Sequence, residues 1–386
     1  RHGLALHAES LVFESYGFAP NSPVDGAALA AAIEAGASAV ELQDLTEEMN
    51  MTRHAYDPGL RAEYRDAWDA AGVTCILQNA GEESNSIPLL LKRLARFTHV
   101  TDLLRDFVAR AATPDDIAAA KAAGRHALYM SGNGVPLPLD CHYVQEELSY
   151  IRVFFQLGVR MMHLTYNRRN LIGDGCGEPA NGGLSDFGRA VVAEMNRVGV
   201  IVDVAHCGWQ TSLEAARASA RPMVASHSGA CAVNEHCRCK PDEVIRAICD
   251  TGGLIGLCCI PEFLGGSRDI RAFLDHIDYV VRTFGPDHVA IGTDVAYMAR
   301  LADAERAKLP RRQRPRPRWE KLWPPREPNS DSPERQREQV LSMAWTNWPI
   351  FTVGMVQRGH SDETIRKILG GNMLRVAKAV WEGRGK

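Results

Sequence analysis

Val198-Gly-Val-Ile-Val-Asp-Val-Ala-His206 and Pro222-Met-Val-Ala-Ser-His227 are short apolar runs, each closed by a histidine, with a helix-like segment between them. Strand, helix, strand is the repeat of a parallel sheet. In a closed barrel the C-terminal ends of successive strands face one pocket, so both imidazoles would meet there. Two histidines converging at a strand rim are how metal-assisted hydrolases begin a site. A third run, Val289-Ala-Ile-Gly-Thr-Asp294, brings a carboxylate to the same rim.

The alternation extends through most of the chain. Candidate strands are Leu11–Glu14, Ala39–Leu42, Val73–Leu77, Ala127–Met130, Arg160–Thr165, Val198–Val204, Pro222–Ala225, Leu254–Cys259 and Val289–Ile291. Helical patterns fall between them at Asp25–Ala35, Ile87–Phe97, Tyr143–Leu157, Asp186–Arg197, Pro241–Asp250 and Ile270–Phe284. The expectation is an α/β chain folded as a (β/α)8 TIM-type barrel. Nine candidates are one more than the barrel needs, so one is misread or lies outside it. A doubly wound sheet is the alternative, but no Gly-x-Gly-x-x-Gly follows a strand and opens a helix.

Residues 1–386 read as a single barrel domain, with an insertion at 300–338 and C-terminal helices at 339–386. From Arg300 to Arg326 the insertion carries ten Lys or Arg residues, several prolines and two tryptophans. Its place after Asp294 suggests a lid or a subunit-crossing arm; a solvated basic loop is the plainer reading. At the C-terminus, Ser361-Asp-Glu-Thr-Ile opens a helix with a Ser N-cap, and Gly370-Gly371 interrupts it before Asn372–Glu382 resumes.

With 45% hydrophobic and 24% charged residues over 386, the composition is that of an ordinary globular protein. A net charge of −3 gives no reason to expect nucleic acid, and no apolar run approaches the length of a membrane span. Arg1 in place of Met suggests an upstream segment, and the first residues lack a signal-peptide pattern. Ten cysteines in a chain this long do not form a disulfide scaffold, which favours a cytoplasmic location. His142 beside Asp140 and Cys141, and His236 beside Cys237 and Cys239, lack the paired spacing of a structural zinc site.

From about Tyr150 to Glu382 the chain resembles the membrane (renal) dipeptidase family of metallopeptidases. The resemblance rests on Gln156-Leu-Gly-Val-Arg-Met-Met-His-Leu-Thr-Tyr-Asn167, Gly183-Leu-Ser-Asp-Phe-Gly188, Val202-Asp-Val-Ala-His206, Ser226-His-Ser228, Gly292-Thr-Asp294 and Lys367-Ile-Leu-Gly-Gly-Asn-Met-Leu-Arg375. It implies a (β/α)8 barrel that cleaves dipeptides and related amides with two bridged zinc ions. His206 and His227 then correspond to the second-metal ligands, and Asp294 to the aspartate that handles the proton. Arg238 corresponds to the arginine that clamps the substrate carboxylate. Family resemblance and the long arm favour a homodimer.

The departures are specific. Where the family's first strand ends in Asp-Gly-His-x-Asp, this chain has Phe13-Glu-Ser-Tyr-Gly-Phe-Ala-Pro20. Ser131 stands in place of the bridging glutamate, and Tyr166 in place of a histidine that helps bind the reacting group. Glu14 and Glu41, ending the first two candidate strands, are candidate replacement ligands or polar pocket residues. The leading expectation is a dipeptidase-like amidohydrolase acting on a small carboxylated substrate. It would use one divalent ion, zinc, on His206 and His227, with Asp294 as catalytic base or third ligand. Arg238 and Tyr166 would contact substrate, Tyr166 as a donor to a carbonyl oxygen. A metal-independent isomerase or lyase, and a non-catalytic binding protein, are the alternatives.

Overall fold

The structure is a computed structural model that describes residues 1–81, 86–138, 140–310, 320–323 and 332–385. Its nine strands are β1 (Phe13–Gly17), β2 (Cys75–Asn79), β3 (Val108–Arg110), β4 (His126–Gly132), β5 (Val159–His163), β6 (Ile201–Asp203), β7 (Val224–Ser228), β8 (Leu254–Leu257) and β9 (Val289–Ile291). Eight form one parallel sheet in the order β1-β2-β4-β5-β6-β7-β8-β9, and β9 comes back against β1 to close a nearly complete barrel. Between the strands run helices such as Asp186–Val198 and Trp209–Ala218, as parallel crossovers require.

The surplus candidate is Ala39–Leu42. It is the first turn of the helix Ala39–Tyr56, which Ser38 caps from outside while the Glu41 carboxylate returns to the Ser38 N–H at 2.7 Å. This capping box places Glu41 on the surface, far from any ligand role. The strand that periodicity missed is β3, whose three residues pair only with the first three of β4. It lies off the barrel path.

Alternation along the strands sorts the interior into layers. Phe13, Leu77, Tyr129, Met161, Ile201, Val224, Leu254 and Ala290, one from each barrel strand, belong to one buried cluster. Met373, Val376, Ala377 and Val380 of the helix Asn372–Glu382 join it and seal one end. The outward set, including Ile76, Leu128, Met162, Val202, Ala225 and Ile291, packs beneath the surrounding helices. Burial on both faces is why the strands read as continuous apolar runs.

Two residues further along each strand the interior changes character. The next inward rung is Ser15, Asn79, Ser131, His163, Asp203, Ser226, Gly256 and Gly292, all polar or without a side chain. The glycines are required by close approach: a Cβ on Gly256 or Gly292 would lie 1.9 or 2.1 Å from the Ser226 carbonyl oxygen. That oxygen already accepts a hydrogen bond from Ser15 Oγ at 2.7 Å. The barrel is thus apolar below and polar at its open rim.

Glu14 follows inward-facing Phe13 and so points outward, within β1 and not at its end. Its carboxyl is fully buried and accepts hydrogen bonds from the Thr293 N–H and hydroxyl and, at 2.9 Å, from Trp345 Nε1. Burial raises its pKa to about 8 against the opposing pull of these donors. It is a polar tie between strand and outer helices. Gly370-Gly371 likewise serves packing: the helix widens there into a π turn without breaking, and a Cβ on Gly370 would lie 2.4 Å from the Leu11 oxygen.

The basic insertion is partly described. Residues 311–319 and 324–331, which hold most of its arginines and prolines, lie outside the described residues. Leu322 is buried, and Trp323 packs on Phe263 with ring centroids 5.5 Å apart.

Above pH 8, where Glu14 is ionised, Glu14→Gln turns one acceptor into an amide N–H2 that must face Trp345 Nε1–H or the Thr293 donors. We expect a loss of ~1–3 kcal/mol in urea unfolding, and a smaller loss in a Trp345→Phe background where the opposing donor is gone. Equal losses in both backgrounds would exclude the donor–donor conflict.

Candidate metal centre

The sequence-predicted histidines meet. His206 lies just past the end of β6 and His227 within β7, both almost fully buried, and their Nε2 atoms are 2.8 Å apart. Each ring is fixed by its other nitrogen. His206 Nδ1 lies 2.8 Å from Asn167 Oδ1, and His227 Nδ1 lies 2.8 Å from Ser226 Oγ. The Ser226 hydroxyl proton is committed to Asp203 Oδ2, so its oxygen can only accept from His227. With both Nδ1 atoms donating, both Nε2 atoms present lone pairs toward each other. Facing lone pairs repel unless a proton or a metal ion lies between them, and an outer partner on the far nitrogen is the usual support of a metal-binding imidazole.

Electrostatics agrees with neutral, ligand-ready rings. Burial holds both imidazoles well below 6.5, and the Arg238 guanidinium adds to the effect. Arg238 is itself buried and donates to the carbonyl oxygens of Ala205 and His227, with Nη2 3.4 Å from His206 Nε2. It forms no salt bridge with a carboxylate among the described residues. Tyr166, half-buried, stacks on His206 with centroids 4.0 Å apart. Packing accounts for the position of that ring.

Asp294 follows β9 in a left-handed backbone conformation, φ +57°, with its N–H 3.5 Å from the Tyr16 oxygen. A non-glycine residue held there is strained, as functional positions often are. Burial raises its pKa to about 6, while Arg238 and then His163 pull the other way. A carboxylate poised near neutrality within the field of Arg238 is suited to passing protons.

Several site residues were not anticipated. His163 ends β5 as the register partner of Asp203, with Nε2 2.5 Å from Asp203 Oδ2. Both are fully buried. Burial opposes ionisation of Asp203, but His163 and Ser226 more than offset it, and its pKa lies below the ordinary value. Tyr16 occupies the place where the resemblance calls for a first-strand metal ligand. Its ring stacks on His227 at 3.9 Å, and its hydroxyl donates to Asn133 Oδ1 at 2.6 Å. The signal for His163 and Asp203 was present in the sequence: each stands two residues beyond an inward apolar residue. Among the described residues, His163, Asp203 and His227 form the one group of three potential metal donors, with one ligand atom from each within 4.8 Å of the others. The cysteine-flanked His142 and His236 form no such group.

Comparison with known proteins agrees with this geometry. The model of the membrane dipeptidase family, peptidase family M19, matches residues 37–309. The chain belongs to the membrane dipeptidase family. Dipeptidase tcpJ of Claviceps purpurea is 28% identical over 286 residues, 73% of this chain and 57% of the relative. The chain spans about half the length of the curated relatives it matches. An amidohydrolase from Pseudomonas aeruginosa superposes with a TM-score of 0.69 at 24% identity, covering 98% of this chain and 99% of that one. A metallo peptidase from Rhodobacter sphaeroides, solved with a phosphinate mimic of the dipeptide L-Ala-D-Ala, gives 0.67 at 18%, covering 97% and 100%. These structural likenesses establish the shared dipeptidase-family fold. No helix among the described residues is long and apolar enough to cross a membrane.

Depressed histidine pKa values make stability depend on pH in a definite sense. Each ring stays neutral in the folded chain while the unfolded chain takes up a proton below 6.5, so stability is present above that value and falls as pH falls. In chelator, His206→Gln or His227→Gln should each reduce the slope of unfolding free energy by ~1.4 kcal/mol per pH unit between about pH 4.5 and 6. Urea titrations across that window check this, and unchanged slopes would show that the rings are protonated when folded.

Proposed function

We propose that this chain is a metal-dependent hydrolase of the dipeptidase type. It cleaves an amide in a small substrate that carries a carboxylate, and its centre holds a single ion, zinc. The observation that carries this reading is the 2.8 Å approach of two Nε2 atoms whose Nδ1 partners leave both with lone pairs. His206 and His227 would hold the ion. When bound, it supplies Lewis-acid activation of water and of the amide carbonyl.

The chain's own groups do the rest. Asp294 removes a proton from the attacking water and returns it to the leaving nitrogen, which a carboxyl with a pKa of about 6 can do near neutrality. Arg238 holds the substrate carboxylate through paired N–H donors and fixes the amide relative to Asp294. Tyr166 keeps the His206 ring in place by stacking and presents its hydroxyl toward the carbonyl oxygen. The loop that leads into Arg238 borders a cavity of about 510 Å³ lined by Cys176, Trp209, Glu235, His236, Cys237 and Lys321. It offers room for the remainder of the substrate, and Lys321 of the insertion forms part of its wall. A lid role for the insertion rests on that placement.

Tyr16, stacked on His227, and Ser131, whose buried hydroxyl has no hydrogen-bond partner, stand where the resemblance calls for ligands of the other ion. This supports one ion over two.

Purified chain should contain about one equivalent of zinc and release amine from dipeptides or N-acyl amino acids. Chelation should abolish release, and zinc, manganese or cobalt should restore it. Asp294→Asn should lower kcat by ~10²–10⁴ with metal content unchanged. Less than ~0.2 equivalents of metal, without activation by added ions, overturns the reading. Turnover that survives chelation but not Asp294→Asn would instead indicate metal-independent acid–base chemistry.

A further inference from the structure

We infer that His163 is a third imidazole ligand of this centre, a donor outside the family ligand pattern that takes over part of the work of the missing bridging carboxylate. The inference rests on the metal-dependent reading above and deepens it.

His163 is wholly buried, and neither ring nitrogen makes a directed hydrogen bond. Interior imidazoles ordinarily satisfy both nitrogens. The nearest polar group is the Asp203 carboxylate at 2.5 Å from Nε2, which leaves Nδ1 with no partner at all. A carboxylate behind one nitrogen and nothing on the other is the arrangement of a histidine that ligates metal.

Ring spacing gives a second, independent observation. Centroids are 4.8 Å apart for His206 and His227, 5.2 Å for His163 and His206, and 5.3 Å for His163 and His227. Imidazoles sharing one tetrahedral ion at metal–nitrogen distances of ~2.0–2.1 Å have ring centres ~5 Å apart. The triangle of ring centres is already the right size.

Topology explains how a donor could be lost and regained. Ser131 on β4 pairs with Met161 on the adjacent β5, and His163 is the next inward residue of β5. The replacement donor therefore comes from the neighbouring strand and approaches from below His206 and His227. Its ion would sit deeper in the barrel than one held at the rim. Asp203, in register with His163, places its carboxylate behind the ring.

X-ray absorption on the zinc-loaded protein counts imidazoles directly, and calorimetry gives affinity. Three imidazoles in the wild type, two in His163→Gln, and an affinity lower by ~100-fold or more are expected. Melting of metal-free His163→Gln checks that the fold survives; if it does not, the wild-type count alone decides. Two imidazoles in the wild type, or unchanged affinity in a folded variant, overturns the role of His163 and leaves the metal-dependent reading standing. No zinc bound to the wild type overturns both.

Discussion

Between β6 and β7 the ladder offers a single register pair, Asp203 with Val224, and the Asp203 carboxylate supplies what the ladder lacks. Its Oδ1 accepts from the N–H groups of Ala205 and Ser226 at 2.9 and 3.0 Å, and its Oδ2 accepts from the Ser226 hydroxyl. One carboxylate thus fixes the backbone just before each rim histidine. It also orients the His227 ring through Ser226 and faces His163. A buried charge so placed is stable only while all its partners remain; removing one typically costs ~3–5 kcal/mol. The positions of His206 and His227 follow from that constraint.

The polar rung that contains Asp203 also marks where the barrel changes from packing to chemistry. Below it every inward residue is apolar, and the C-terminal helix closes that end. Above it the strands deliver His206, His227 and Asp294. Gly256 and Gly292 make the transition possible, because β8 and β9 must lie against the Ser226 carbonyl without a Cβ between them. This close approach leaves β9 free to turn immediately into the left-handed conformation of Asp294.

The barrel was legible because its strands are buried on both faces and announce themselves as apolar runs. Eight of nine candidates are barrel strands. Ala39–Leu42 misled because four apolar-rich residues carry no period, although Ser38 and Glu41 at capping-box spacing were the stronger signal. β3 escaped because three residues pairing beside β4 leave almost no pattern. At the site, His206, His227 and Arg238 could be placed from strand ends and resemblance, and the structure brings them together. His163 could not be placed by resemblance, since no family role attaches to its position; period-two counting from Met161 would have found it. Asn167 and Ser226 are visible only in three dimensions, because their part is to hold a distant ring.

Arg238 sharpens what such a centre would accept. Its guanidinium is buried, donates to carbonyl oxygens, approaches the His206 ring, lies 5.3 Å from the centre of the Phe263 ring and sits between the two histidine loops. A desolvated cation without an anion is an unfavourable arrangement in the free chain, and an incoming carboxylate relieves it. The same carboxylate would be fixed within a few ångströms of His206 Nε2, so the bond to be cleaved must lie close to the charged end of the substrate. Long peptides with a distant C-terminus fail that condition; dipeptides and N-acyl amino acids meet it. On the proposed reading, selectivity for small carboxylated amides would follow from where one arginine is buried, independently of how many ions the centre holds.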